Sequence, residues 1–197
     1  MNVRASARIA AVVAIAVAAF TAGRFVPPGS VGAQPAADDA ELARLYKEDQ
    51  ADRSPPAGAA IDWDKVSKRD RAREAKVKEA YAADRLRTGA DYYHAAMILQ
   101  HAGTPDDYLL AHELCVVALS RGEPRAKWLA AATEDRFLMN IGRPQRFATQ
   151  FRTEGPDGPL RLYRVDPTVT DGLRKALGVP PLAEAKAREA KFNEKKE

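Results

Sequence analysis

Apolar side chains recur at three- and four-residue spacing along most of the chain, a pattern that predicts a succession of α-helices. The first predicted helix begins at Asp38 and carries Leu42, Leu45 and Tyr46 on one face. Pro55 and Pro56 end it, because proline lacks the amide hydrogen that a helix interior requires. A second, highly charged helix is predicted from about residue 62 to 87.

Capping signals place the central helices. Thr88-Gly-Ala-Asp91 predicts a capping box at a helix start, and Thr104-Pro105 predicts a second start with proline at the first helical position. Gly122 stands just past the end of that helix, and Glu123-Pro124 begins another. Asn140, followed by a glycine and a proline, ends the last one.

The pattern changes after residue 144. Alternating polar and apolar residues over 145–152 and 160–165 flank a turn-rich segment, which predicts a small hairpin. A short helix is expected at 170–177 and a charged helical tail at 182–197. The predicted fold class is therefore all-α, a mainly helical array that could be helical-repeat-like, with a small C-terminal β-hairpin.

The N-terminal segment predicts export. Arg4 and Arg8 precede an uncharged apolar run at residues 9–23, which is too short to span a bilayer comfortably but suits a signal peptide. Val31-Gly-Ala33 offers the small residues that precede a signal-peptide cleavage site, so cleavage is expected after Ala33. An uncleaved N-terminal anchor is the alternative. The expected organisation is a signal peptide or anchor at 1–33, a linker at 34–37, one helical domain at 38–181 and the tail. The location would be periplasmic or secreted, with membrane contact only through residues 9–23 if they are retained.

Charge and cysteine content narrow the function classes. The formal net charge of +4 includes three arginines and no acidic residue before position 34, so the remaining chain carries only +1. A basic platform for nucleic acid is therefore not expected. The single Cys115 cannot form an intrachain disulfide.

Acidic and basic residues occupy positions on the apolar faces of three predicted helices. Asp49 and Arg53 share the first face, Asp70 and Arg73 the second, and Asp135 lies on a later one. Buried charges are costly unless they are paired or hydrogen-bonded. These residues therefore indicate either structural ion pairs or a functional site, and the pattern leaves both open.

His101 is the candidate titratable group. It follows Gln100 at a predicted helix end, where the carbonyl groups favour a charged imidazole, and its alternative role is to cap that end. His112-Glu-Leu-Cys-Val116 lacks the second histidine of a zinc-binding HExxH motif, and no CxxC pair is present. No metal site and no cofactor are expected.

Five segments resemble, in order and register, those of a bacterial family known only as a domain of unknown function. They are Asp49-Gln50-x-x-Arg53, Asp91-Tyr92-x-x-Ala-Ala96, Gln100-His101, Asp135-Arg136 and Gly142-Arg-Pro-Gln145-x-x-x-Thr149-Gln150. The resemblance covers about residues 40–180. Ala148 stands where that family has glycine. The resemblance implies no particular reaction, but it singles out residues already marked by the helical pattern.

Two functions follow as hypotheses. The first is an exported helical module that binds a peptide, a protein partner or a small anionic or polar ligand. Its ligand-binding candidates are Asp49, Gln50, Arg53, Gln100, Arg136, Arg143, Gln145, Thr149 and Gln150. The alternative is a metal-independent hydrolase or transferase with His101 or Asp135 as general base. In either case the candidates are expected to form one polar centre.

Overall fold

The structure, a computed structural model, describes residues 36–194 except 154, 156 and 157. The signal peptide or anchor predicted at 1–33 lies outside the described residues, as do the last three residues of the tail. None of the helices in the described part is long and apolar enough to cross a membrane.

Seven helices and one two-stranded sheet make up the described part of the chain. The helices are α1 (Ala40–Asp52), α2 (Trp63–Ala82), α3 (Gly89–Leu99), α4 (Pro105–Ser120), α5 (Ala126–Asn140), α6 (Asp171–Ala176) and α7 (Leu182–Glu194). The strands are β1 (Phe151–Thr153) and β2 (Leu160–Leu162), and they pair antiparallel. The predicted all-α class with a small hairpin is confirmed.

Side-chain caps start the helices where the sequence indicates. The Thr88 hydroxyl accepts from the Asp91 amide while the Asp91 carboxylate accepts from the Thr88 amide, which completes the predicted capping box. The Thr104 hydroxyl caps α4 by accepting from the Asp107 amide and donates to the Asp107 carboxylate, with Pro105 in the first turn. The second helix is shorter than predicted, because it ends at Ala82 and Asp84 takes a left-handed backbone with φ +55°.

The core lies around α3. This helix packs against α1 and α2 on one side and against α4 on the other, and α4 packs along α5. Leu42, Val77, Leu99, Ala111 and Leu129 are among the side chains that are almost fully buried between these helices. Removing this apolar surface from water is the main favourable contribution to folding. The arrangement brings α1, α2 and the end of α3 together, which positions the site described below.

The C-terminal elements form a smaller unit on the end of α5. Phe147 and Val169 pack with Ala131 of α5 in a second apolar cluster. Helix α7 covers the outer edge of β2, where Asn193 exchanges two hydrogen bonds of 3.0 Å with the backbone of Leu160. The first predicted strand is largely wrong, because Gln145 forms only an isolated parallel bridge with Val165, residues 146–150 form a loop, and the hairpin pairs residues from Phe151 onward.

Candidate functional site

An ionic ladder joins α1 to α2. Arg53, at the end of α1, donates to the Asp49 carboxylate at 2.6 Å and to the Asp70 carboxylate of α2 at 2.7 Å. Arg73 donates to the other Asp70 oxygen at 3.0 Å and also to Asp52. The pairs satisfy one another within a largely buried interface, so they hold the two helices in a fixed register.

Both oxygens of Asp49 are occupied. Its second oxygen accepts from the Gln50 amide at 2.8 Å, and the residue is completely buried. Burial raises the pKa of Asp49, although the Arg53 guanidinium and the Gln50 amide oppose the change. Asp49, Gln50 and Arg53 therefore form one hydrogen-bonded group, to which the sequence candidates Asp70 and Arg73 belong as well.

His101 lies beside this group but is not bonded to it. Its Nε2 atom is 3.7 Å from an Asp49 oxygen, too far for a hydrogen bond, and has no hydrogen-bond partner among the described residues. Burial, together with the guanidinium groups of Arg53, Arg136 and Arg73, lowers the pKa of His101 to about 3. The charged imidazole expected at the helix end is therefore wrong, because burial and three nearby cations outweigh the helix carbonyls.

Arg136 of α5 is the second group with unused capacity. Its Nη1 atom is buried and has no hydrogen-bond partner in the described part of the chain. Burial lowers the pKa of Arg136, while Tyr108 and Asp135 act in the opposite direction. Arg136 also lowers the pKa of His101, and each side chain has one buried polar atom without a described partner, so we refer to the two residues together as the His101–Arg136 site.

Asp135 accepts hydrogen bonds from the loop that follows α5. One carboxylate accepts the backbone amides of Arg146 at 2.7 Å, Phe147 at 3.0 Å and Thr149 at 3.0 Å, and the Thr149 hydroxyl at 2.8 Å. Burial raises the pKa of Asp135, and these donors oppose it. With its oxygens engaged in this way, Asp135 holds the 145–150 loop against α5.

Gln145 and Gln150 add further hydrogen bonds that hold this loop in place. The Gln145 side chain accepts from the Gln150 amide at 2.9 Å and donates to the carbonyls of Gln150 and Tyr163. Gln150 donates to the Thr149 hydroxyl at 2.9 Å and to the Ala132 carbonyl of α5 at 3.4 Å. Gln145, Thr149 and Gln150 therefore shape a loop, and their side-chain polar atoms are bonded to the loop backbone, to α5 or to one another.

The remaining candidates lie apart from these groups. Arg143 is exposed and lines a cleft of about 470 Å³ with Glu134, Arg146 and Asp166. Gln100, which precedes His101 in the sequence, is buried, and its side-chain amide contacts the Met97 sulfur. The expected single polar centre is thus divided into two groups, one on α1, α2 and α3 around Asp49 and one around Asp135 and the 145–150 loop. Arg136 follows Asp135 in α5 and acts on the first group by lowering the pKa of His101.

Sequence reasoning missed two members of the ladder. Asp52 accepts from both Arg69 and Arg73, so it closes the end of the α1–α2 interface. The available signal was the spacing of Asp49, Asp52 and Arg53, which places all three on adjacent positions of one helical surface. Arg69 gives no comparable signal, because it is one of many charged residues of α2.

No group of His, Cys, Asp or Glu side chains suited to a metal ion is present among residues that the structure describes. Comparisons with protein-family models, curated proteins and solved structures gave no significant match. The site offers a neutral imidazole and an unpaired guanidinium N–H in a partly buried environment that contains the guanidinium groups of Arg53 and Arg73 and the Asp49 carboxylate.

Proposed function

We propose that this domain is a binding module that holds a small anionic group, a carboxylate or a phosphate, at the His101–Arg136 site. The observation that carries the proposal is that His101 Nε2 and Arg136 Nη1 are buried polar atoms, on side chains that interact electrostatically, that no described residue satisfies. A buried donor without a partner costs roughly 1–3 kcal/mol. A ligand oxygen that accepted from the Arg136 N–H, or from the Nε2–H tautomer of His101, would recover this cost.

The electrostatics support an anion. Besides burial, the guanidinium groups of Arg53, Arg136 and Arg73 lower the pKa of His101. The nearby Asp49 carboxylate, 3.7 Å from Nε2, is already bonded to Arg53 and Gln50. Arg53 and Arg73 are committed to Asp49, Asp52 and Asp70, which leaves Arg136 as the cation able to contact a ligand directly. Arginine suits this task because its planar N–H groups match carboxylate and phosphate oxygens.

The same features argue against proton transfer. A general base is most effective when its pKa lies near the working pH, and that of His101 is about 3. Asp135, the other candidate base, has its oxygens engaged by the 145–150 loop. Binding is therefore the function that this geometry supports best.

The ligand class can be tested with defined probes. Sodium acetate, inorganic phosphate and a dipeptide with a free carboxylate would each be titrated into the full chain by calorimetry. At least one should bind with a dissociation constant in the millimolar range or tighter. Arg136→Gln should lose this binding, because the direct cation is removed.

Arg143→Gln is the matched control, since it removes the same charge from an exposed position in the separate cleft that Glu134, Arg146 and Asp166 line. It should bind the probe as the unaltered chain does. Equal binding by Arg136→Gln, or no binding of any probe to the unaltered chain, contradicts the proposal.

We also propose that the module is exported, on the support of the basic N-terminus, the apolar run at 9–23 and the small residues ending at Ala33. Cell fractionation with N-terminal sequencing tests this. A mature chain beginning at Gln34 is expected outside the cytoplasm. Intact protein found only in the cytoplasm would oppose export, whereas intact protein in the membrane fraction would indicate the anchor.

A further inference from the structure

A separate cleft of about 570 Å³ lies between α1 and α2, and we call it the α1–α2 cleft. The helices are joined at one end, where Arg69 and Arg73 contact Asp52 and Arg53 contacts Asp70. Both helices pack on α3 more extensively than on each other. The cleft is therefore an open groove that neither His101 nor Arg136 lines.

The walls of the groove carry more positive than negative charge. Arg44, Arg69, Arg73 and Lys76 line it together with only two acidic residues, one of which is Glu48. The side chains of Arg44, Arg69 and Lys76 are about half exposed, at 56%, 48% and 50%. The pairs of Arg44 with Glu48 and of Lys76 with Glu79 are exposed at both partners and weak, so they can exchange for a ligand carboxylate. Arg69 and Arg73 remain bound to the largely buried Asp52.

The floor of the groove is apolar and small. Leu45 is almost fully buried beneath it, and the exposed methyl groups of Ala51 and Ala72 face it from the two helices. Small side chains allow a partner backbone to approach closely. A polar rim around an apolar floor is typical of surfaces that bind peptides.

The spacing of the cations favours an extended chain over a single small anion. The two cations with exposed pairs, Arg44 of α1 and Lys76 of α2, line the groove from its two helices. A single small anion would contact one wall at a time. Carboxylates three residues apart in an extended peptide point to opposite sides of the chain, so they can face both walls together.

We infer that the α1–α2 cleft is a docking groove for a short acidic segment of another protein, with two carboxylates about three residues apart and apolar side chains between them. The chain's own tail is a poor occupant. It carries five basic and four acidic residues from 182 onward, and Asn193 and Glu189 tie α7 to β2. The inference does not depend on the His101–Arg136 site.

The test uses a capped, rhodamine-labelled peptide containing Glu-Ala-Leu-Glu, and fluorescence anisotropy with the full chain. A matching Gln-Ala-Leu-Gln peptide controls for the label and the apolar residues. The double variant Arg44→Gln/Lys76→Gln should weaken binding of the acidic peptide about tenfold or more. Lys47→Gln/Lys68→Gln removes the same charge from exposed positions of the same two helices outside the groove, and should change binding less than about twofold.

Two further measurements make the result specific. Ala72→Trp should block the peptide by filling the groove without changing charge, and Arg136→Gln should bind it normally. Equal weakening by the two double variants would show unspecific charge attraction and overturn the inference. Failure of the unaltered chain to prefer the acidic peptide, or its displacement by inorganic phosphate at a similar concentration, would also overturn it.

Discussion

At the scale of single residues, the buried polar side chains divide by how completely they are satisfied. Asp135 accepts from four donor groups of three residues in one loop, whereas His101 Nε2 and Arg136 Nη1 have no partner among the residues described. A satisfied buried charge supports the fold, and its loss is costly. An unsatisfied one is a cost that ligand binding can offset. His94 Nδ1 and Arg174 Nε also lack a described partner, but His94 stacks on Tyr46 and Arg174 donates through its other nitrogens to Val169, Asp171 and Arg146.

Asp135→Asn should strongly destabilise the domain. The amide nitrogen would face backbone donors, and hydrogen bonds to a charged acceptor contribute about 1.5–3 kcal/mol each. We expect a loss of about 2–4 kcal/mol in the free energy of unfolding, measured by urea denaturation. Glu134→Gln is the control, because it removes the neighbouring carboxylate. Burial raises the pKa of Glu134 and its ion pair with Arg146 is 3.3 Å long, so little favourable charge interaction is lost. It should cost less than about 1 kcal/mol; equal costs for the two variants would refute a bracing role for Asp135.

Ala148 shows what the sequence could and could not predict at this scale. Its φ of +64° is left-handed, a conformation in which a residue with a side chain is disfavoured by about 1–2 kcal/mol. Glycine, which the resemblance leads us to expect at this position, would adopt this conformation without that cost. The pattern of alternating residues nevertheless predicted a strand, since it carries no information about the Asp135 carboxylate that accepts the Phe147 and Thr149 amides on either side.

At the scale of elements, the helix starts were predictable because their signals are local. Thr88, Thr104 and Pro105 act within one helical turn, and the structure has caps at these positions. The division of the polar residues into two groups was not predictable. It depends on which helices become neighbours, and periodicity identifies an inward face without identifying what lies opposite it.

The α1–α2 ladder gives a prediction about elements. Asp70 bridges Arg53 and Arg73 at an interface where its side chain is 16% exposed. Asp70→Asn leaves two cations without their carboxylate, so we expect a loss of about 2–4 kcal/mol in the free energy of unfolding. Glu48→Gln breaks the Arg44 pair, whose side chains are 56% and 49% exposed, and should cause little measurable change. A negligible effect of Asp70→Asn would mean that the ladder does not hold α1 against α2.

At the scale of the whole molecule, two buried neutral histidines make stability depend on pH. Burial lowers the pKa of both His94, which stacks on Tyr46 at 4.5 Å, and His101. Because each pKa is lower in the folded state, the unfolded chain takes up protons first as the pH falls. The stabilisation is therefore complete above an ordinary histidine pKa of about 6.5 and is lost as the pH falls toward 3.

His101→Gln isolates this dependence from the carboxylates, since burial raises the pKa values of Asp49 and Asp135 and so acts in the opposite direction. The unfolding free energy of the unaltered chain minus that of the variant should be constant above about pH 7 and fall by up to about 1.4 kcal/mol per pH unit below about 6. Chemical denaturation across this range measures it. A difference that stays flat down to about pH 4 would show that His101 titrates as in the unfolded chain.

The central claim is that Arg136 is retained for binding at a cost to stability, and Arg136→Met tests it most directly. Methionine keeps the length and helix propensity of the side chain while removing the unpaired N–H and its charge. Thermal unfolding of both proteins, with and without the anion that the titrations identify, is the measurement. We expect the variant to melt several degrees higher than the unaltered chain and to gain nothing from the anion. A variant that melts lower and is still stabilised by the anion would contradict the account.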